Sequence, residues 1–227
     1  MITERLKNDV IFVNVNGSLD YFDEQTYHHS VRRLERTKKI QDALHKKGLR
    51  CYRINPIDGD IPYVPYFPKD AGSPDVNLFN YNSYMLFDLL PLLNKWGVSF
   101  THLVIFHHDG FPLNVDNWSD EFLDYEHIGI PQLSNDGEYM CTGFSIRTKE
   151  FMEKIIDRIS LSDYYNYFEE NGHGNDDVIL HTHVGIDKLP PTSLKDKWGS
   201  RNVTGDTFGF HNEVEFDFDK AIGLLNK

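Results

Sequence analysis

Two histidines, an aspartate and a glycine stand together at His107, His108, Asp109 and Gly110, directly after an apolar run from Leu103 to Phe106. A carboxylate beside imidazoles is a donor set for a divalent cation, and a glycine next to it lets a phosphate approach the backbone. Small polar groups suited to a ligand-facing turn also close the stretch 9–18, at Asn14 and Asn16. Arg32 and Arg33 open a basic stretch, where a guanidinium would meet a diphosphate. Asp176 and Asp177 follow a glycine-loosened segment, 171–175, and precede an apolar run. A helix dipole favours acids at such a start.

These groups need a frame. Four consecutive large apolar residues describe a strand covered on both faces, and in an open α/β sheet ligands bind beyond the carboxyl ends of such strands. Residues 103–106 are therefore the expected central strand, delivering His107, His108 and Asp109 to that edge. Residues 9–18 start as an apolar strand, read as the first of a nucleotide-binding half, with 19–30 as a loop over the site. A basic helix over 31–47 ends at Gly48, and a second strand covers 49–55. The segment 60–80, rich in proline and aromatic residues, is an irregular excursion, and 82–93 is a helix distorted near Pro91.

In the second half, 118–131 reads as a short helical turn followed by a strand-like run. Residues 139–147 form another strand, in which Gly143 allows close backbone approach. Thr148 caps a helix whose Phe151, Met152, Ile155, Ile156 and Ile159 make an apolar stripe expected in the core.

A chain of 227 residues fits one larger α/β domain. The net charge of −12 opposes strong non-specific nucleic-acid binding, because that affinity comes from neutralising phosphates with Lys and Arg. Two cysteines, Cys51 and Cys141, are too few for a disulfide framework and read as buried, reduced thiols. No stretch has the length of a membrane span, and the first residues lack the apolar core of a signal peptide, so a cytoplasmic protein is expected.

Several segments, in order, resemble known families. Residues 10–18, the Arg-rich helix from Val31 and the turn Ile57-Asp58-Gly59 are similar to the amino-terminal part of the lipopolysaccharide-type glycosyltransferases of family 25. The aspartate-centred 107–111, the segment 124–131, the strand Gly143-Phe144-Ser145-Ile146-Arg147 and the helix start Asp176-Asp177-Val178 resemble uncharacterised bacterial and viral glycosyltransferase-like domains.

The resemblance implies a single Rossmann-like α/β domain of the GT-A kind, with a mixed, mostly parallel central sheet flanked by helices. Residues 1–100 would form its nucleotide-binding half and 101–227 its metal and acceptor half. It implies transfer of a sugar from a nucleoside-diphosphate sugar to an acceptor hydroxyl of a glycan, a protein or a modified nucleobase. Asp109 matches the last aspartate of the family's Asp-x-Asp metal motif, and His107 stands where the first is expected. That exchange favours Mn²⁺ over Mg²⁺. His211 matches the histidine that many such enzymes add from their carboxyl-terminal region.

Asp176 or Asp177 takes the place of the general base of an inverting reaction. Asn14, Asn16, Arg33 and Gly110 would hold the nucleotide, and Ser145 and Arg147 would line the sugar or acceptor pocket. Two other readings compete. One is a catalytically silent sugar-nucleotide or glycan-binding module; the other is a metal-dependent phosphohydrolase using His107, His108, Asp109, His181 and His183.

Overall fold

The computed structural model describes residues 2–15, 24–54, 79, 81–134, 137–172, 175–211 and 216–227. Asn16 and most of the 60–80 segment fall outside them. In chain order the elements are α1 (Glu4–Asn8), β1 (Val10–Val15), α2 (Glu24–Lys46), β2 (Cys51–Ile54) and α3 (Leu89–Lys95). Then come β3 (His102–Ile105), β4 (Gly110–Pro112), β5 (His127–Ser134), β6 (Gly137–Thr148) and α4 (Lys149–Arg158). The rest are α5 (Leu161–Asn171), α6 (Asp176–Ile179), α7 (Thr192–Trp198), β7 (Gly199–Ser200), β8 (Gly209–His211) and α8 (Phe218–Leu225).

Five strands form the main sheet in the order β2-β1-β3-β6-β5. β1 runs parallel to β2 and β3, whereas β6 is antiparallel to both β3 and β5. The sheet is mixed and flanked by helices, as expected, but its pairings divide evenly instead of being mostly parallel. β5 and β6 follow one another almost without a gap, and only antiparallel strands can be joined so tightly.

Alternation along the strands splits the core into two layers. Phe12, Val104, Ile128 and Ile146 pack with Ile40 and Leu44 of α2, Trp198 of α7 and Leu225 of α8. Ile11, Val13, Leu103 and Ile105 face the opposite way, against Leu89, Leu90 and Leu93 of α3 and Met152 of α4. Phe151, Ile155, Tyr164 and Ile179 of α4, α5 and α6 form a further apolar cluster.

Three local expectations change. α2 begins at Glu24, so 24–30 is helix and not loop; once a helix is nucleated, each added residue costs little. Pro91 sits inside α3, and the distortion falls just upstream, where 84–88 forms a wide turn closed by Leu89 N–H on the Tyr84 carbonyl. Pro91 has no N–H and its ring crowds the carbonyl four residues back, which a wide turn relieves. In α4 the Thr148 hydroxyl accepts the Phe151 N–H as a cap, but Ile156 is 38 % exposed and leaves the expected core stripe.

Candidate functional site

Beyond β3 the chain folds back sharply: the His107 N–H donates to the Gly110 carbonyl at 2.6 Å, which puts His108 and Asp109 at the tip. β4 leaves this turn and pairs with β8, setting Gly110 opposite His211. A second, three-stranded sheet, β4-β8-β7, thus carries a carboxyl-terminal histidine to the edge of the main one. One carboxylate oxygen of Asp109 lies 3.9 Å from His211 Nε2 and 3.6 Å from His108 Nδ1. That oxygen is buried and accepts no hydrogen bond. His107, Asp109 and His211 each offer a ligand atom within 4.8 Å of the others.

The electrostatics suit these donors to a cation. Burial works to raise the Asp109 carboxyl, but the imidazoles of His108, His107 and His211 outweigh it and hold the group below its ordinary value. Burial pushes His107 down to about 3 and His108 to about 4, against the pull of Asp109. At neutral pH the rings therefore keep their lone pairs and the aspartate its charge. A buried carboxylate oxygen without a partner is unusual and calls for a missing one. Two imidazoles and a carboxylate fit a divalent cation of the Mn²⁺ type better than Mg²⁺.

A bulge in β6 builds the wall facing this cluster. Gly129 pairs with Ser145, but the next residue, Ile130, pairs with Cys141, so Thr142, Gly143 and Phe144 are looped out of the ladder. Ser145 is fully buried, and its hydroxyl fastens the bulge by donating to the Thr142 carbonyl at 3.0 Å. Bulges of this kind re-aim side chains. Cys141 Sγ comes 3.3 Å from His211 Nδ1, and the Thr142 hydroxyl donates to Asp176 Oδ1 at 2.7 Å. A Cβ on Gly110 or Gly143 would collide with the His211 ring, so the two glycines form the slot that holds it. The close approach expected at Gly143 is to this ring. Over Gly110, too, the ring fills the space that had been expected for a phosphate.

Asp176 and Asp177 have different surroundings. Asp176 is 6 % exposed and accepts from Arg147 Nη2 at 3.1 Å. Arg147 is itself 0 % exposed, and its Nε and Nη1 have no hydrogen-bond partner. Asp177 is half-buried at the first turn of α6, where its carboxylate accepts the Val178 N–H at 2.9 Å. Ser145 and Arg147 therefore sit inside the protein and line no open pocket among the described residues.

Of the groups expected to hold a nucleotide, Asn14 is buried and its Nδ2 donates to the Phe106 carbonyl at 2.8 Å, tying β1 to the end of β3. Arg33 is exposed on α2, and its charge acts on both His107 and His108. On the same helix Arg32, Glu35, Arg36 and Lys39 line a half-open pocket of about 380 Å³ shared with Phe216, Asp217, Phe218 and Asp219. The Arg36 guanidinium lies over both rings, and Asp109 acts on it electrostatically. His181 and His183 are engaged elsewhere: His181 Nε2 accepts the Met140 N–H, and His183 packs edge-on against Tyr167. The histidine set of a phosphohydrolase is thus not brought together.

Two contributors escaped the sequence reading. The Tyr81 hydroxyl lies 2.5 Å from His107 Nε2, yet Tyr81 stands one residue before the recognisable helical stripe. Cys141 was expected to be a buried thiol, and burial does push it up to about 12, but its contact with His211 depends on the bulge.

No family model matches the sequence, and no curated protein matches it either. Among solved structures, the chain superposes on a glycosyltransferase involved in the glycosylation of the major capsid of PBCV-1. The TM-score is 0.51 over 96 % of this chain and 98 % of that one, at 9 % identity. The likeness is one of fold, a glycosyltransferase-like α/β domain spanning nearly the whole chain.

Proposed function

We propose that the protein is a metal-dependent glycosyltransferase that takes a sugar from a nucleoside-diphosphate donor. The observation that carries this reading is the buried, unpartnered Asp109 oxygen between His107 and His211, at the carboxyl edge of a glycosyltransferase-like sheet. Mn²⁺ held by these three side chains would neutralise charge building on the leaving diphosphate. Arg33 and Arg36, whose charges already act on this cluster, extend the positive field over the same anion.

Asp177 is the better general base, because Asp176 is committed to Arg147. Its carboxylate would take the acceptor hydroxyl's proton as the acceptor oxygen bonds the anomeric carbon and the bond to the diphosphate breaks, with inversion. The structural neighbour acts in capsid glycosylation, so a protein-linked glycan is the first acceptor to test.

A panel of nucleoside-diphosphate sugars assayed for Mn²⁺-dependent hydrolysis and transfer tests the reading. Wild type should turn over one of them, Asp109→Ala none, and Asp177→Asn should bind the donor with turnover reduced about a hundredfold or more. Equal rates in all three proteins would refute it, and metal-independent donor binding without turnover would favour the silent binding module.

A further inference from the structure

We infer that Tyr81 and Cys141 are positioning residues for the cation: each accepts an N–H from the histidine it touches, so that the ring's other nitrogen presents a lone pair. The inference rests on the cation reading of His107, Asp109 and His211 given above.

A neutral imidazole carries a single N–H, and the partner of one nitrogen decides which nitrogen can coordinate. His211 meets Cys141 Sγ through Nδ1, while its Nε2 is the nitrogen facing Asp109. With the proton on Nδ1, donated to sulfur, Nε2 is free to bind a cation. With the thiol donating instead, the proton sits on Nε2 and blocks it. His107 poses the same choice with the order reversed: Tyr81 Oη takes Nε2, which leaves Nδ1 as the ligand.

Metal-bound histidines usually lean on a carboxylate or a carbonyl, which can only accept. A phenol and a thiol can both accept and donate, with a rotation of O–H or S–H between the two states. Loading and emptying the site then leaves neither ring with an unsatisfied buried nitrogen. The glycine slot and these two partners divide the task. Gly110 and Gly143 restrict where the His211 ring lies; Cys141 fixes how it is turned and which nitrogen is bare.

The test is calorimetric titration of Mn²⁺ alone into the full chain, with the melting temperature of each metal-free variant measured alongside. Wild type should bind one Mn²⁺ and Asp109→Ala none. Tyr81→Phe and Cys141→Ala should each weaken binding about 10- to 100-fold. Cys141→Ser, whose hydroxyl still accepts, should recover most of that loss, which a packing role alone would not produce.

Unchanged affinity in Tyr81→Phe and Cys141→Ala beside a binding wild type overturns the inference and leaves the metal site standing. Cys141→Ser as weak as Cys141→Ala overturns the cysteine's part. A wild type that takes up no Mn²⁺ overturns the inference together with the metal site.

Discussion

Asp176→Asn separates a structural acid from a chemical one. The substitution keeps an oxygen for the Thr142 hydroxyl, which lies 2.7 Å from Oδ1, but replaces the charged acceptor facing Arg147 Nη2 with an uncharged NH2 donor. Arg147 is 0 % exposed, and two of its nitrogens already lack partners, so no water or second acid among the described residues can take over. Leaving one half of a buried pair uncompensated costs about 3–5 kcal/mol. At about 2–4 °C per kcal/mol for a chain of this size, the melting temperature should fall by roughly 6–20 °C.

Asp177→Asn, at a half-buried position, should stay within about 1 kcal/mol of wild type by the same measurement. Thermal and urea unfolding followed by circular dichroism gives both values. Replacing the pair together, Arg147→Met with Asp176→Leu, should recover most of the loss, because apolar groups of similar volume carry no desolvation penalty. An Asp176→Asn protein that melts within about 2 °C of wild type would show that Arg147 does not depend on this carboxylate.

Gly143→Ala pushes a methyl group into the His211 ring, so Mn²⁺ affinity measured by calorimetry should fall at least about tenfold. Burial lowers the pKa of His102, His107 and His127, so the unfolded chain binds more protons than the native one below the ordinary histidine value. Their stabilising contribution is complete above about pH 6.5 and is lost as pH falls toward the native values. Urea midpoints should therefore drop steadily from pH 7 to 4.5, and a flat series over that range would contradict the assignment. Burial also raises both thiols, so Cys51 and Cys141 should ignore dithionitrobenzoate in the native protein and react fully in denaturant.

What the sequence could show of this site follows from how far apart its parts lie along the chain. Val10–Val13 and Leu103–Phe106 are continuous apolar runs, and a run of that kind is enough to declare a doubly covered strand and the polar groups at its end. Asp109 was legible for that reason. Its relation to His211 was suggested only by family resemblance, since it depends on β4 pairing with β8, two strands of three residues with no period to read. The Cys141 contact was beyond reach because three looped-out residues shift the register of β6, and a shift in register changes which side chains face the site.

The same limit explains the acids. Adjacent carboxylates at the start of a helix look equivalent on paper, but neighbouring positions on a helix point about 100° apart. Asp176 is bonded to the sheet through β6, where it meets Thr142 within the bulge and Arg147 beyond it, while the Asp177 carboxylate accepts the Val178 N–H. The bulge thus sets both halves of the site at once. By looping out Thr142 to Phe144 it brings Cys141 and Gly143 against His211 and engages Asp176 with Thr142. Removing the Ser145 hydroxyl, which ties the bulge at 3.0 Å, should accordingly disturb cation affinity and stability together. A Ser145→Ala protein that lost one and kept the other would mean that the two halves are held independently.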